Sequence, residues 1–174
     1  MILYLIIILA IVTRFIPHMP NFAPITALAI FAGAYLPKKQ AIAIPLIARF
    51  VSDIFLGFFS WPLIIAVYAS HLLGVVFGLW IRKSENYRWI KIVGSSLLAS
   101  VVFFLVTNFA YLYAYYPHSW AGIIAAYTNG LPFFRGTLLG DLGYSVALFG
   151  AYALARRLTS SKSNFKFPAY RQAG

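Results

Sequence analysis

No cysteine occurs in the 174 residues, which excludes both a disulfide framework and a thiolate centre. Acid is nearly as scarce. Three Asp and Glu stand against 14 Lys and Arg, for a net charge of +11. Charged residues of either sign make up 10% of the chain, where soluble domains carry about a quarter. There is no phosphate-cradling Gly-rich loop, no nucleophile elbow and no dinucleotide fingerprint, and the three histidines lack a metal-ligand spacing. Nothing therefore points to ATP hydrolysis, a cofactor, a metal or a nucleophile with its base, and the chain is not expected to be an enzyme.

What is present is apolar. Hydrophobic residues account for 62% of the chain and the mean hydropathy is +0.83, the composition of an integral membrane protein. The length suits one compact bundle. A charge of +11 raises the question of nucleic acid, but its placement answers it. Apart from Arg14, Arg49 and Arg135, every Lys and Arg falls in one of two loops or in the C-terminal tail. That is the positive-inside pattern of membrane topology, and anionic lipid at the cytoplasmic surface favours it further. Membrane lipid is the expected partner, and nucleic acid is not. The N-terminus, MILYLIIILAIVTRF, has neither a basic leader region nor a small-residue cleavage site, and reads as a retained first span.

The pattern predicts an all-α, polytopic membrane protein: a six-helix transmembrane bundle over residues 1–155 and a basic cytoplasmic tail over 156–174. The six spans are expected near 2–16, 25–36, 40–58, 63–81, 90–113 and 135–154, with a long outer segment over 114–134. Both termini are then cytoplasmic (N-in/C-in). Aromatics agree with this frame: Trp80, Tyr87 and Trp89 fall at the inner boundary, and Trp61, Tyr115, Tyr116 and Trp120 at the outer one. Small residues recur at four-residue spacing, as Ser70-Gly74-Gly78, as Gly136-Gly140 and as Ala29-Gly33, which lets helix backbones approach. Such stripes serve internal packing or a docked partner. Arg-then-Asp pairs at Arg49/Asp53 and Arg135/Asp141 hint at a duplication, but their flanks do not align.

Between the first two spans lies RFIPHMPNFAPITALAIF, Arg14 to Phe31. Three prolines there bar a continuous helix, and Arg14, His18 and Asn21 supply hydrogen-bond donors. Non-helical backbone at membrane depth needs protein or a watery cavity to satisfy it, so this stretch is expected to be a re-entrant or capping loop over a binding site, the alternative being a plain connector.

Ionisable residues inside spans are costly, about 2.5–3.5 kcal/mol each, and are functional candidates by default. Counted from their helix ends, Asp53 and Asp141 sit at similar depth in the outer leaflet, about 7 and 9 Å down at 1.5 Å per residue. Arg14, Arg135 and Asn108 fall near the same level. Arg49 and Asp53, four apart, can pair locally. Two readings follow. One is a buried ion network that pins helices together. The other is an outward-facing pocket for a small anionic or zwitterionic solute, with arginine forks for carboxylate or phosphate and aromatics such as Trp120 to stack on a ring. The candidate binding residues are Arg14, His18, Asn21, Arg49, Asp53, Asn108, Trp120, Arg135 and Asp141. His71, mid-span, reads as a packing histidine.

Three runs, RFIPHMPNFAPITALAIFAGAYL, SDIFLG and LPFFRGTLLGDLGYSVALFG, together resemble a family of small six-span bacterial membrane proteins. That family is similar in turn to the substrate-binding S components of energy-coupling factor (ECF) vitamin transporters. The resemblance implies a multi-pass protein of the bacterial inner membrane that captures a vitamin or cofactor-like small molecule from outside. It also implies a transmembrane coupling subunit with separate ATPases as partner. S components carry an Ala-x-x-x-Ala docking stripe on their first span; here the first span has only Ala10, and the spacing occurs at Ala23 and Ala27. The other readings are a stand-alone proton-coupled carrier using Asp53 or Asp141, and an accessory subunit of a larger membrane complex.

Overall fold

The computed structural model describes residues 2–17, 19–83 and 88–159. Among them the chain is all-α, with six helices: α1 (Ile2–Thr13), α2 (Ile25–Tyr35), α3 (Lys38–Leu56), α4 (Trp61–Arg82), α5 (Arg88–Tyr115) and α6 (Trp120–Thr159). By length and composition α4, α5 and α6 can each cross a membrane, whereas α1 and α2 are shorter apolar helices. The 19-residue α3 carries Lys38, Lys39, Arg49 and Asp53, too many charges for an ordinary span. Large apolar side chains such as Phe55, Ile65, Ile90 and Leu154 remain more than half exposed on the outside of the bundle, an outer surface suited to lipid.

The centre is α2. Every residue from Ile25 to Ala34 is buried, as expected of a helix that is apolar all round. It lies directly on α4. A Cβ on Gly78 would stand 2.1 Å from the Ile30 carbonyl oxygen, and one on Gly33 would stand 2.3 Å from that of Val75. Only glycine permits such an approach, so the small-residue stripes of α2 and α4 serve packing inside the chain.

One end of the bundle is closed and basic. Arg82 donates to the carbonyls of Gly33 and Leu36, satisfying the C-terminus of α2, which lacks further helical donors. The Arg88 guanidinium lies 5.2 Å from the Tyr35 ring centroid. Tyr35 packs in turn on Tyr152, near the end of α6, at 4.5 Å. The C-termini of α2, α4 and α6 and the start of α5 therefore share one end.

The largest departure from the sequence-based expectation is at residues 114–134. The segment expected to separate two spans is mostly helix. The connection is four residues, 116–119, and α6 then runs 40 residues without a break, about 60 Å at 1.5 Å per residue. Gly122 makes the tight entry possible, since a Cβ there would meet the Pro117 carbonyl at 1.9 Å. Pro132 sits inside the helix at the cost of one backbone donor. At its other end α6 takes in Arg156 and Arg157, where cations suit the helix dipole. The helix thus continues four residues past the expected boundary at 155. Residues 160–174 of the expected tail, and Tyr87, lie outside the described residues.

Candidate ligand-binding cavity

Away from the basic end the helices enclose a cavity of about 520 Å³. It is walled by residues at helical spacing: Leu63, Val67 and His71 on α4; Phe103, Phe104, Thr107, Asn108 and Tyr111 on α5; Gly130, Phe133, Phe134, Thr137 and Asp141 on α6. Recurrence at three and four residues keeps each set on one helix face. A further side is the connector between α1 and α2, through Arg14, Pro20 and Asn21.

That connector is held in shape. The Phe22 N–H donates to the Met19 carbonyl at 3.0 Å, closing a turn with Pro20 and Asn21 at its centre. Asn21 has φ 60°, a left-handed conformation that Asn tolerates better than most residues. The turn rests on α6, where a Cβ on Gly136 would lie 2.0 Å from the Pro20 carbonyl oxygen. Here the α6 stripe receives a loop instead of a helix. Pro20 and Asn21 thus border the cavity from the connector. His18 lies outside the described residues.

Two buried carboxyl groups border this region in different ways. Asp53 belongs to an ion network. Arg49 Nε donates to Asp53 Oδ2 at 2.8 Å, and Arg14 Nη2 lies 3.9 Å from Oδ1. The Tyr68 hydroxyl adds a bond to Oδ2 at 3.2 Å. Ser52 ties the two arginines together, accepting from Arg14 Nε at 2.7 Å and donating to the Arg49 carbonyl at 2.7 Å. Arg14 and Arg49 line the cavity, with Asp53 behind them. Asp141 faces the same space from α6 without a cation. Its Oδ2 accepts from Ser100 at 2.8 Å, and the Thr26 side chain also bonds to it. Among the described residues it makes no ion pair.

His71, read from sequence as a packing histidine, also lines the cavity. It is 3% exposed, and neither ring nitrogen has a hydrogen-bond partner. Its ring stacks on Phe103 at 5.8 Å. Buried polar atoms are normally satisfied, so each exception needs an explanation. A polar residue mid-helix at i+4 and i+8 from apolar wall positions was the available signal.

The structure therefore brings Arg14, Asn21, Arg49, Asn108 and Asp141 to one cavity, with Asp53 in contact behind. It sets two candidates apart. Trp120 opens α6 at 81% exposure, and Arg135 is exposed mid-helix; neither lines the cavity. Arg135 and Asp141 are six residues apart, about 120° around a helix of 3.6 residues per turn, so one faces away when the other faces in. Tyr111, Phe133 and Phe134 are among the aromatics that do line the space. His118 packs on Tyr113 at 4.8 Å. Among the described residues no three of His, Asp or Glu gather at one point.

No curated protein and no solved structure matches the chain. One family model does, and it covers residues 1–164, nearly the whole length. The chain belongs to a family of unknown function (DUF6580).

Proposed function

We propose that this is an integral membrane solute-binding protein, of the S-component type, which takes a small molecule into the cavity beneath the Pro20–Asn21 turn for uptake. The observation that carries the reading is the cavity itself. About 520 Å³ is the size of a small-molecule site, and such sites combine apolar and aromatic walls with a few placed polar groups. Phe103, Phe104, Phe133 and Phe134 supply the walls; Arg14, Arg49, His71, Asn108 and Asp141 supply the polar groups.

The topology supports uptake from outside. In this reading all six helices lie in the inner membrane, with α1, α2 and α3 completing the bundle around the longer three. The basic end faces the cytoplasm by the positive-inside rule, so the cavity opens to the exterior. Counting back from Arg156, a hydrocarbon core about 30 Å thick uses about 20 residues of α6. That puts Arg135 at the outer boundary, with residues 120–134 beyond it. An exposed arginine is at ease there. Binding, not catalysis, is the proposed role, and the coupling subunit with its ATPases is the proposed partner.

A second reading has one observation in its favour. Asp141, held only by hydroxyls, suits a group that carries a proton in a stand-alone carrier. Uptake by that carrier would depend on pH, and Asp141→Asn would abolish the dependence.

The leading reading is tested by gentle purification of the full chain and native mass spectrometry. A retained small molecule, lost on Arg49→Gln, is the expected result. A stoichiometric membrane partner with no small ligand would overturn it in favour of an accessory subunit.

A further inference from the structure

Resting on that reading, we infer that the cavity takes an aromatic zwitterion, its anionic group held by Arg14 and Arg49, its protonated amine by Asp141, and its ring read by His71. The charges on the wall argue for both signs. Arg14 and Arg49 share one carboxylate, that of Asp53, which leaves one positive charge in excess at the α1–α3 wall. Asp141, on α6, places one carboxyl at the α6 wall with no cation beside it among the described residues. The two walls face the same cavity, yet Asp141 and the arginines make no ion pair with each other.

A purely anionic ligand would satisfy the guanidiniums and bring like charge towards Asp141. A purely cationic one would do the reverse. A molecule with both charges satisfies both walls, and buried charge is tolerated when each member is paired and hydrogen-bonded. Arginine is suited to the anionic end because its fork matches carboxylate or phosphate.

The ring follows from the remaining walls. Phe103, Phe104, Phe133 and Phe134 line the space, and Phe104 and Phe134 already pack on each other at 4.8 Å between centroids. His71 is the independent sign of a ligand. Its two ring nitrogens are buried and unpartnered. A neutral imidazole has one donor and one acceptor to offer, so it would engage a polar atom on the bound molecule. Stacking on Phe103 at an interplanar angle of 29° fixes the plane in which those nitrogens point. His71 is thus a specificity-determining position.

The experiment uses the full-length protein in detergent and follows thermal unfolding with three matched probes: tryptophan, indole-3-propionate, which lacks the amine, and tryptamine, which lacks the carboxylate. Tryptophan is expected to raise the melting temperature by several degrees at millimolar concentration, and each analogue by less than half as much. Asp141→Asn should weaken tryptophan about ten-fold or more, with indole-3-propionate unchanged, since only the amine loses its partner. His71→Leu should weaken tryptophan, and His71→Gln, which restores a donor and an acceptor, should recover part of the loss. Helical content by circular dichroism checks that each variant is folded.

Equal stabilisation by either single-charge analogue overturns the inference, as does stabilisation by none of the three. The underlying reading is distinguished separately. If no probe stabilises the protein but native mass spectrometry still finds a retained compound, small-molecule binding stands and the zwitterion falls. If nothing is retained either, both fall.

Discussion

Asp53 and Asp141 are equally buried, each 2% exposed, on helices that border one cavity, and their surroundings differ in kind. Around Asp53 every interaction is internal: two arginines, a tyrosine hydroxyl and a serine bridge link the end of α1 to α3 and α4. Around Asp141, among the described residues, there are two hydroxyl donors, Ser100 and Thr26, and open cavity. The ion network at Asp53 and the cavity at Asp141 therefore do not occupy the same space. They are neighbours. The arginines take part in both, because each has one side on Asp53 and another on the cavity.

The sharpest test of this contrast is Asp53→Asn. It removes the carboxylate shared by two guanidiniums that are 9% exposed or less. Breaking a buried pair from one side costs about 3–5 kcal/mol, because the partner is left uncompensated. Thermal unfolding in detergent should show the largest loss of any conservative change in the region. Adding Arg49→Gln to Asp53→Asn should cost less than the two changes summed. A loss under about 1 kcal/mol would mean that the network is solvated and that Asp53 resembles Asp141 after all.

Part of this was readable in advance. Arg49 and Asp53 stand four apart, and a helix makes them neighbours whatever surrounds it. The Pro-rich stretch from Arg14 to Pro24 declared itself by three closely spaced prolines, which disfavour a continuous helix. Depth counting also put Asp53, Asp141 and Asn108 near one level. Facing is where it stopped. Depth says how far along a helix a residue lies, and only the wheel angle says which way it points. Arg135 sits at a suitable depth and turns outwards. The sequence reading does not carry a helix through 114–134, where Pro117, Gly122, Gly130 and Pro132 are of the types that commonly interrupt one. Two of those glycines are instead contact points: Gly122 under Pro117, and Gly130 under Asn108, whose Oδ1 lies 2.2 Å from where a Cβ would be. A helix bearing glycines for close contacts and one bearing them as breaks have the same composition. The orphaned nitrogens of His71 could not be read at all, since satisfaction of a polar group is a property of its neighbours.

A finer cut separates the ionic from the neutral bonds at Asp53. Tyr68→Phe removes only the hydroxyl that donates to Oδ2 at 3.2 Å, and leaves both arginines in place. A net hydrogen bond contributes about 1 kcal/mol, so stability should fall by that much, well short of Asp53→Asn. Were the two losses equal, the tyrosine would be the main support of the carboxylate and the arginines would be free to serve the cavity alone.

Asp141→Asn completes the contrast from the other side, and its expected effect on stability is the smallest. The amide keeps the shape of the carboxyl group and retains an oxygen to accept from Ser100 and Thr26. No cation among the described residues is left unpaired by the change. The stability of the ligand-free protein should shift by less than about 1 kcal/mol, with either sign, even though Asp141 is as buried as Asp53. A loss matching that of Asp53→Asn would reveal a structural counter-charge at Asp141 and remove the reason to assign it to a ligand. A negligible loss, together with weakened binding of an amine-bearing probe, would separate what holds the bundle together from what the bundle holds.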